Sequence, residues 1–428
     1  NVSYYVKPDS NILLEAILRG TSVYIPGANI PMLDRILSNG ICSLNPGEDR
    51  LALTFDLTLD ANGDLIEFDI YDSIINSKKR MTYSEVNKIL EDGEIVEGYE
   101  PYLDSLKLMK ELQAKIRKNK IESGFIDLEI EENVVKLDKN GKPIDVYVKN
   151  RGIAEKIIED FMVIVNEITS ELLDSVYGTR QIYRVHGEPN EEKMANFKKY
   201  IDELGYNSDR LQNFDSRNLQ YFLSYVKDKP EYKVIAYELL KCMKKAHYST
   251  ANIGHFALGA ESVCQVTSPI RRIGDLINHI LIRDYIYGYG KGSLNAAKLS
   301  YISSIASQTE RNAAKCEDAV KKVLTVEYMQ DHLDEIVEGV ITYVCKDGFA
   351  VELDNLVEGF VYIGSLNDDR YSYMPDKFAI IGKHTGNKYM LGKKVSVSTR
   401  FVDKTTNEIS FSVEKKVKEK KKTLNTQN

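Results

Sequence analysis

The segment VTSPIRRIGDLINHILIRDYI, residues 266–286, gathers more potential chemistry than any other in the chain. Arg271, Asp275 and His279 recur every four residues, so on a helix they share one face. Ser268 is suited to cap such a helix and Pro269 to occupy its first position. Two adjacent guanidiniums at that start, Arg271 and Arg272, offer planar forks of donors that match phosphate oxygens, with Asp275 able to hold one of them in place. The same residues would also build an ordinary ion-paired amphipathic helix, and spacing alone leaves both readings open. A second set lies nearer the C-terminus, where Phe349, Phe360 and Tyr362 alternate with apolar residues and Lys393, Lys394 and Arg400 follow. Aromatics interleaved with cations suit a single nucleic-acid strand, bases on the rings and phosphates on the charges. A small barrel must also fill its own interior, so half of these aromatics could be core; Phe349 and Tyr362 are expected to face outward. His186, His247, His255 and His332 show no zinc-ligand spacing and read as structural.

The elements that must position these residues fall into two textures. NVSYYV opens the chain like part of a strand, and SVYIPGANIPML reads as an irregular lining segment broken by Pro26, Gly27 and Pro31. Leu51, Leu53, Phe55, Leu57 and Leu59 alternate toward an Asn62-Gly63 turn, and Ile66, Phe68 and Ile70 return from it, the pattern of a half-buried hairpin. Thr82 and Glu85 form a capping box. Helices are predicted over about 101–119 and 152–176, with strands over 125–149 between them around Asn140-Gly141. Residues 190–330 are mainly helical. From about 334 the pattern becomes five short strands, VEGVITYV, GFAVEL, EGFVYI, KKVSVSTRFVD and NEISFSV, which point to an OB-type barrel. The expected fold class is α+β: a mixed domain over 1–330, sheet-rich then helix-rich, a five-stranded barrel over 334–414, and a basic disordered tail over 415–428.

Bulk properties exclude several classes. A length of 428 residues suits two or three domains. No stretch approaches the roughly 20 apolar residues that span a bilayer, no signal peptide is visible, and five scattered cysteines form no C-x-x-C pair, so a reduced cytoplasmic protein without membrane contact is expected. The net charge of −7 argues against a general nucleic-acid coat, so any such partner must meet a local basic surface. The tail supplies one, with Lys415, Lys416, Lys418, Lys420, Lys421 and Lys422.

TSPIRR followed by DLINH, with GHFALG upstream, resembles the signature of the RNB catalytic domain of the ribonuclease II/ribonuclease R family. VSYYV, RGTSVYIPGANIPMLDRILSNGICSLNPGEDRL, TYSEV, RGIAEKIIEDFM and YRVHGEP agree in order, and the terminal barrel is similar to the S-one-type OB domain that closes these enzymes. The basic tail leans toward the ribonuclease R branch. The resemblance implies a processive 3′→5′ exoribonuclease that hydrolyses single-stranded RNA with a free 3′ end to nucleoside 5′-monophosphates, using Mg²⁺. It implies that Arg271 contacts the scissile phosphate, that Tyr24 stacks on RNA near the 3′ end, and that Tyr83 and Glu159 meet the sugar-phosphate; the residue pattern itself adds Arg272 and the barrel residues Phe349, Tyr362 and Arg400 as expected RNA contacts. Tyr24 could instead be a buried tyrosine, and Glu159 with Asp160 two solvated helix acids. Leu128 stands where the family has an aromatic clamp, Asn1 where it usually has an acid, and Glu317 matches an active-site acid only loosely. The family's metal-binding carboxylates precede VSYYV, so Mg²⁺ ligands are expected upstream of Asn1, and the chain, opening in Asn1, is expected to be a fragment with little activity of its own. Ribosome or RNA-decay factors are further expected partners of the tail. The rival readings are a non-catalytic RNA-binding regulator on an RNB scaffold and a translation-associated factor working through the barrel.

Overall fold

The computed structural model describes residues 1–178, 180–211, 213–288 and 294–414. The predicted tail, 415–428, lies outside them. Packing divides the chain into two compact units, Asn1–Ile130 with Asn150–Asp318, and Glu131–Lys149 with the chain from Ala319 onward. The fold is α+β, as its sequence pattern implies.

The first unit is organised around the helix Ile273–Ile286, in which 11 of 14 residues are buried, from Ile273 through Ile282 and again at Asp284. A helix buried on every side is a core helix, so the amphipathic alternative does not hold. It packs among Leu13, Ala16, Met32, Leu33, Leu173, Ile182, Leu299 and Ile302. The helix also starts later than its sequence suggests. Ser268 and Pro269 do not cap it; residues 269–272 form a turn, Arg272 is the N-cap residue, and Arg271 stands outside the helix. The cause is Asp275, whose Oδ2 accepts the Ser268 backbone N–H at 2.8 Å and folds the segment back on itself. Gly274 allows the close packing here, since a Cβ would lie 2.8 Å from the Tyr248 ring.

Other elements agree with or depart from their patterns for local reasons. Ser10 caps Asn11–Arg19, accepting the Leu13 N–H at 3.2 Å. Thr82 and Glu85 form their capping contacts at 3.3 and 2.7 Å, starting the short helix Tyr83–Asn87. The hairpin Asp49–Leu59/Leu65–Asn76 turns through Gly63 at φ 90°. Helices run over Leu103–Ser123 and Ile153–Tyr177. VSYY, however, is a four-residue helix, not a strand, and its Val2 and Val6 are buried in the same core as the 273–286 helix. SVYIPGANIPML is not irregular: Val23–Ile25 pairs with Ala28–Ile30 around Gly27 at φ 80°. The strands Glu132–Leu137 and Pro143–Lys149 form the expected hairpin, but it packs in the second unit and not with the residues that flank it. Asn133 there donates to the Asn355 and Leu356 carbonyls at 3.3 and 3.2 Å.

The second unit contains a closed barrel of the five predicted strands, in the order Gly348–Leu353, Glu358–Tyr362, Glu408–Val413, Lys394–Asp403, Ile336–Cys345. A three-stranded sheet, Tyr371–Met374, Ala379–Gly382 and Lys388–Met390, is inserted after the third of them in sequence; it has no counterpart in the sequence reading. Strand register corrects one expectation. Phe349 pairs with Val361 and Val344, is fully buried, and stacks on Tyr389 with ring centroids 4.9 Å apart, so it is core and does not face outward. Tyr362 is exposed and packs edge-on against Phe360. Phe360 and Tyr343 both lie opposite Ala350, so Tyr343, Phe360 and Tyr362 share the outer face.

This assignment makes opposite predictions for two aromatics of one barrel. Phe349→Ala is expected to destabilise the protein by about 3–5 kcal/mol and Tyr362→Ala by less than about 1 kcal/mol, read from urea unfolding followed by circular dichroism.

Candidate nucleic-acid interface

The turn that precedes the buried helix is bonded directly to the strand that carries Tyr24. The Ser22 N–H and the Thr21 hydroxyl both donate to the Arg271 carbonyl, at 2.9 and 3.0 Å, and the Ile273 N–H donates to the Gly20 carbonyl at 2.9 Å. Gly20, at φ 67°, ends its helix where a Cβ would collide with Thr309 of the long helix Ala296–Met329, so only glycine fits that crossing. The Tyr24 N–H is fixed in turn by Glu317 Oε1 at 2.7 Å, which gives Glu317 a definite place behind the strand.

Arg271 and Tyr24 consequently line one cavity, of about 620 Å³, with Asn1, Phe55, Thr267, Ser268 and His279 among its walls. Tyr24 is half exposed and does not belong to the core. Tyr83, Glu159 and Arg272 line a second cavity of about 270 Å³ with Asn166 and Gln265. Ile158 and Met162 border both, so the two cavities adjoin along one face of the Ile153–Tyr177 helix. The five candidates of the first unit therefore converge. Leu128 is not among the residues lining either cavity.

The two arginines have different surroundings. Arg272 is largely enclosed and reaches Asp275 Oδ2 at 2.7 Å; burial opposes its charge, but Asp275 outweighs that and raises its pKa. Asp275 thus holds Arg272 and leaves Arg271 to the cavity. His279 donates from Nε2 to the Val266 carbonyl at 2.5 Å, and burial lowers its pKa to about 4, so it is neutral at pH 7. His186 and His255 stack at 5.2 Å, and burial lowers His255 to about 3.

Glu159 and Asp160 are not two solvated acids. Asp160 is buried, accepting from Gln113 and Arg117 at 2.7 and 2.9 Å. Glu159 is hydrogen-bonded by Arg151, and Arg117 Nη2 lies 3.6 Å from the same oxygen. Asp127 bridges the two guanidiniums at 3.2 and 3.3 Å. Burial works against the charge of Arg151, but the Glu159 and Asp127 carboxylates prevail and raise its pKa. Arg151, Arg117 and Asp127 were not singled out in the sequence; the fold brings them to Glu159 and Asp160.

A family model described as the RNB domain matches residues 1–288, and one described as the S1 RNA binding domain matches 330–414. The chain belongs to the RNB family. Ribonuclease R of Thermotoga maritima is 38% identical over 96% of this chain and 59% of its own length. Ribonuclease R 1 of Lactococcus lactis is 36% identical over 99% of this chain and 53% of its own. A structure of Mycoplasma genitalium RNase R with ribose-methylated single-stranded RNA matches at a TM-score of 0.88 and 27% identity, over 96% of this chain and 65% of that one. The chain thus spans less than two thirds of each of these RNB proteins.

In the barrel of this RNB chain, Tyr343, Phe360 and Tyr362 share the outer face, and Phe401 on the strand Lys394–Asp403 is also exposed; neither Tyr343 nor Phe401 was anticipated. Arg400 is already paired with Asp334 and Glu414, at 2.9 and 2.8 Å, so a phosphate would have to compete for it. Among the described residues, no group of three or more His, Cys, Asp or Glu stands together to hold a metal ion. The carboxylates nearest the cavities are committed: Glu159 to Arg151, Asp275 to Arg272 and the Ser268 N–H, Glu155 to Asn87 and the Gly152 N–H. The Mg²⁺ implied by the family resemblance therefore does not fit these residues. No helix among the described residues is long and apolar enough to cross a membrane.

Arg272→Ala would leave the Asp275 carboxylate buried without its cation and is expected to cost about 3–5 kcal/mol of stability, whereas Arg271→Ala should cost less than about 1 kcal/mol, both read by urea unfolding. A pH series tests His279. The unfolded chain takes up this proton near pH 6.5 and the folded protein only near 4, so stability rises with pH across that window and is lost on acidification. His279→Gln, which keeps a donor for Val266, should flatten the change in unfolding midpoint between pH 6.5 and 4.

Proposed function

We propose that this chain carries the RNA-holding part of a cytoplasmic 3′→5′ exoribonuclease that hydrolyses single-stranded RNA processively to nucleoside 5′-monophosphates. The observation that carries the reading is the convergence of Arg271 and Tyr24 in one cavity with Tyr83 and Glu159 in the adjoining one. Each side chain supplies what a 3′-terminal nucleotide needs. The half-exposed Tyr24 ring stacks on a base without reading its identity. Arg271 donates to the non-bridging oxygens of the terminal phosphodiester, where negative charge grows as water attacks phosphorus and the preceding 3′ oxygen leaves. Glu159 accepts a hydrogen bond from the ribose 2′-OH, which DNA lacks. The outer aromatics of the barrel, Tyr343, Phe360 and Tyr362, hold upstream bases in the same sequence-tolerant way. A divalent cation would supply water activation, and in this reading its ligands come from residues other than those described.

A timed digestion of 5′-labelled single-stranded RNA with Mg²⁺ tests the reading. The chain as given is expected to bind RNA and shorten it little; extended by any coding sequence that precedes Asn1, it is expected to shorten RNA from the 3′ end. Arg271→Ala in the extended form should lower the rate about 10²–10³-fold with a smaller effect on binding. Tyr24→Ala should weaken binding by about 1–3 kcal/mol. Binding without shortening by the extended chain would replace this reading with that of a non-catalytic RNA-binding regulator.

A further inference from the structure

We propose that Arg151 is a positioning residue for sugar selection: it fixes the Glu159 carboxylate so that one oxygen is presented to the 2′-OH of the 3′-terminal ribose. The inference deepens the function proposed above and rests on it. Arg151 precedes the N-cap of the Ile153–Tyr177 helix, and its guanidinium spans two carboxylates, Nη1 to Asp127 Oδ1 at 3.2 Å and Nη2 to Glu159 Oε2. Arg117 also approaches Oε2, but at 3.6 Å its Nη2 makes no hydrogen bond. Arg151 is thus the described residue that hydrogen-bonds Glu159. Both cations meet Oε2, while Oε1 takes no hydrogen bond from a described residue, and Glu159 lines the cavity that also holds Tyr83.

A glutamate on a helix surface has three side-chain torsions, and ordering them on binding would consume part of the gain from one hydrogen bond. Arg151 removes that cost beforehand, because its own position is set by Asp127, whose N–H is bonded to Gln220 and whose other oxygen is bonded to Arg117. Arg151 touches the sugar in no part of this scheme.

The test measures binding of this chain to two otherwise identical fluorescent single-stranded oligoribonucleotides, one ending in ribose and one in 2′-deoxyribose. Wild type is expected to favour the ribose end about tenfold, the scale of one hydrogen bond to a charged acceptor. Glu159→Gln and Arg151→Ala should both bring that ratio toward one, with affinity for the deoxy end changed less than about twofold, and Arg151→Lys should restore part of the ratio. Thermal melts accompany each variant, and Arg151→Gln, which retains bulk and donors, repeats the measurement if the alanine variant melts early. Loss of the ratio in Glu159→Gln but not in Arg151→Ala or Arg151→Gln overturns the role of Arg151 and leaves the ribose reading standing. Equal weakening of both ends by Arg151→Ala and Arg151→Gln also overturns it. A wild type without preference, unchanged by Glu159→Gln, overturns the ribose reading and the proposal with it.

Discussion

The Ile273–Ile286 helix carries Asp275, Asn278 and His279 into buried positions, and much of the first unit can be understood as the set of partners this demands. A buried carboxylate without a cation and donors costs several kcal/mol, so Asp275 fixes Arg272 and the Ser268 amide around itself. Asn278 bonds both the N–H and the carbonyl of Ile182, at 3.1 and 2.9 Å, and so ties in a strand-leading segment nearly a hundred residues away. His279 holds the Val266 carbonyl. Once these bonds are made, residues 266–272 have little freedom, and the one cation of that turn not used internally by Asp275, Arg271, is delivered to the cavity wall.

The same economy of partners shapes the rest of the site. The Arg271 backbone serves as the docking edge for Thr21 and Ser22, so Tyr24 and Arg271, the proposed stacking and phosphate-binding residues, are positioned by hydrogen bonds between segments 250 residues apart. Glu317, on the long helix, holds the Tyr24 amide from the other side. Around the second cavity a chain of alternating charges, Asp127, Arg151, Glu159, Arg117 and Asp160, keeps each member's position conditional on its neighbours. Removing Arg117 would leave the buried Asp160 without its cation, whereas Asp127 and Glu159 each face two guanidiniums, which is how a partly exposed glutamate acquires a fixed orientation.

The errors of the sequence reading have a common physical origin. Helical spacing placed Arg271, Asp275 and His279 on one face, but the Asp275–Ser268 bond ended the helix short of Arg271, and a side-chain capture of this kind leaves no periodic trace. VSYY alternates like a strand, yet four residues are too few for periodicity to decide, and burial against the 273–286 helix chose the helical form. Phe349 and Tyr362 looked alike because each strand shows only its own alternation; the register between Gly348–Leu353 and Glu358–Tyr362 decides which parity faces inward. The Arg400 expectation is of another kind: it stands as a candidate phosphate contact, to which the fold adds the neighbours Asp334 and Glu414.

The sequence by itself determined the fold class, the five barrel strands, most helices, the Thr82–Glu85 cap and membership of the RNB family, because these follow from local periodicity, turn chemistry and ordered motifs that need no partner. It also supplied the names of Arg271, Tyr24, Tyr83 and Glu159, through motifs that the family resemblance could match. The tertiary structure alone decided that these four converge on two adjoining cavities, which arginine faces the cavity and which is spent on Asp275, which aromatics lie outside the barrel, and what holds Glu159 in place. Those outcomes depend on pairings between charges and backbone groups tens to hundreds of residues apart, and such pairings are selected by burial, which no single segment encodes.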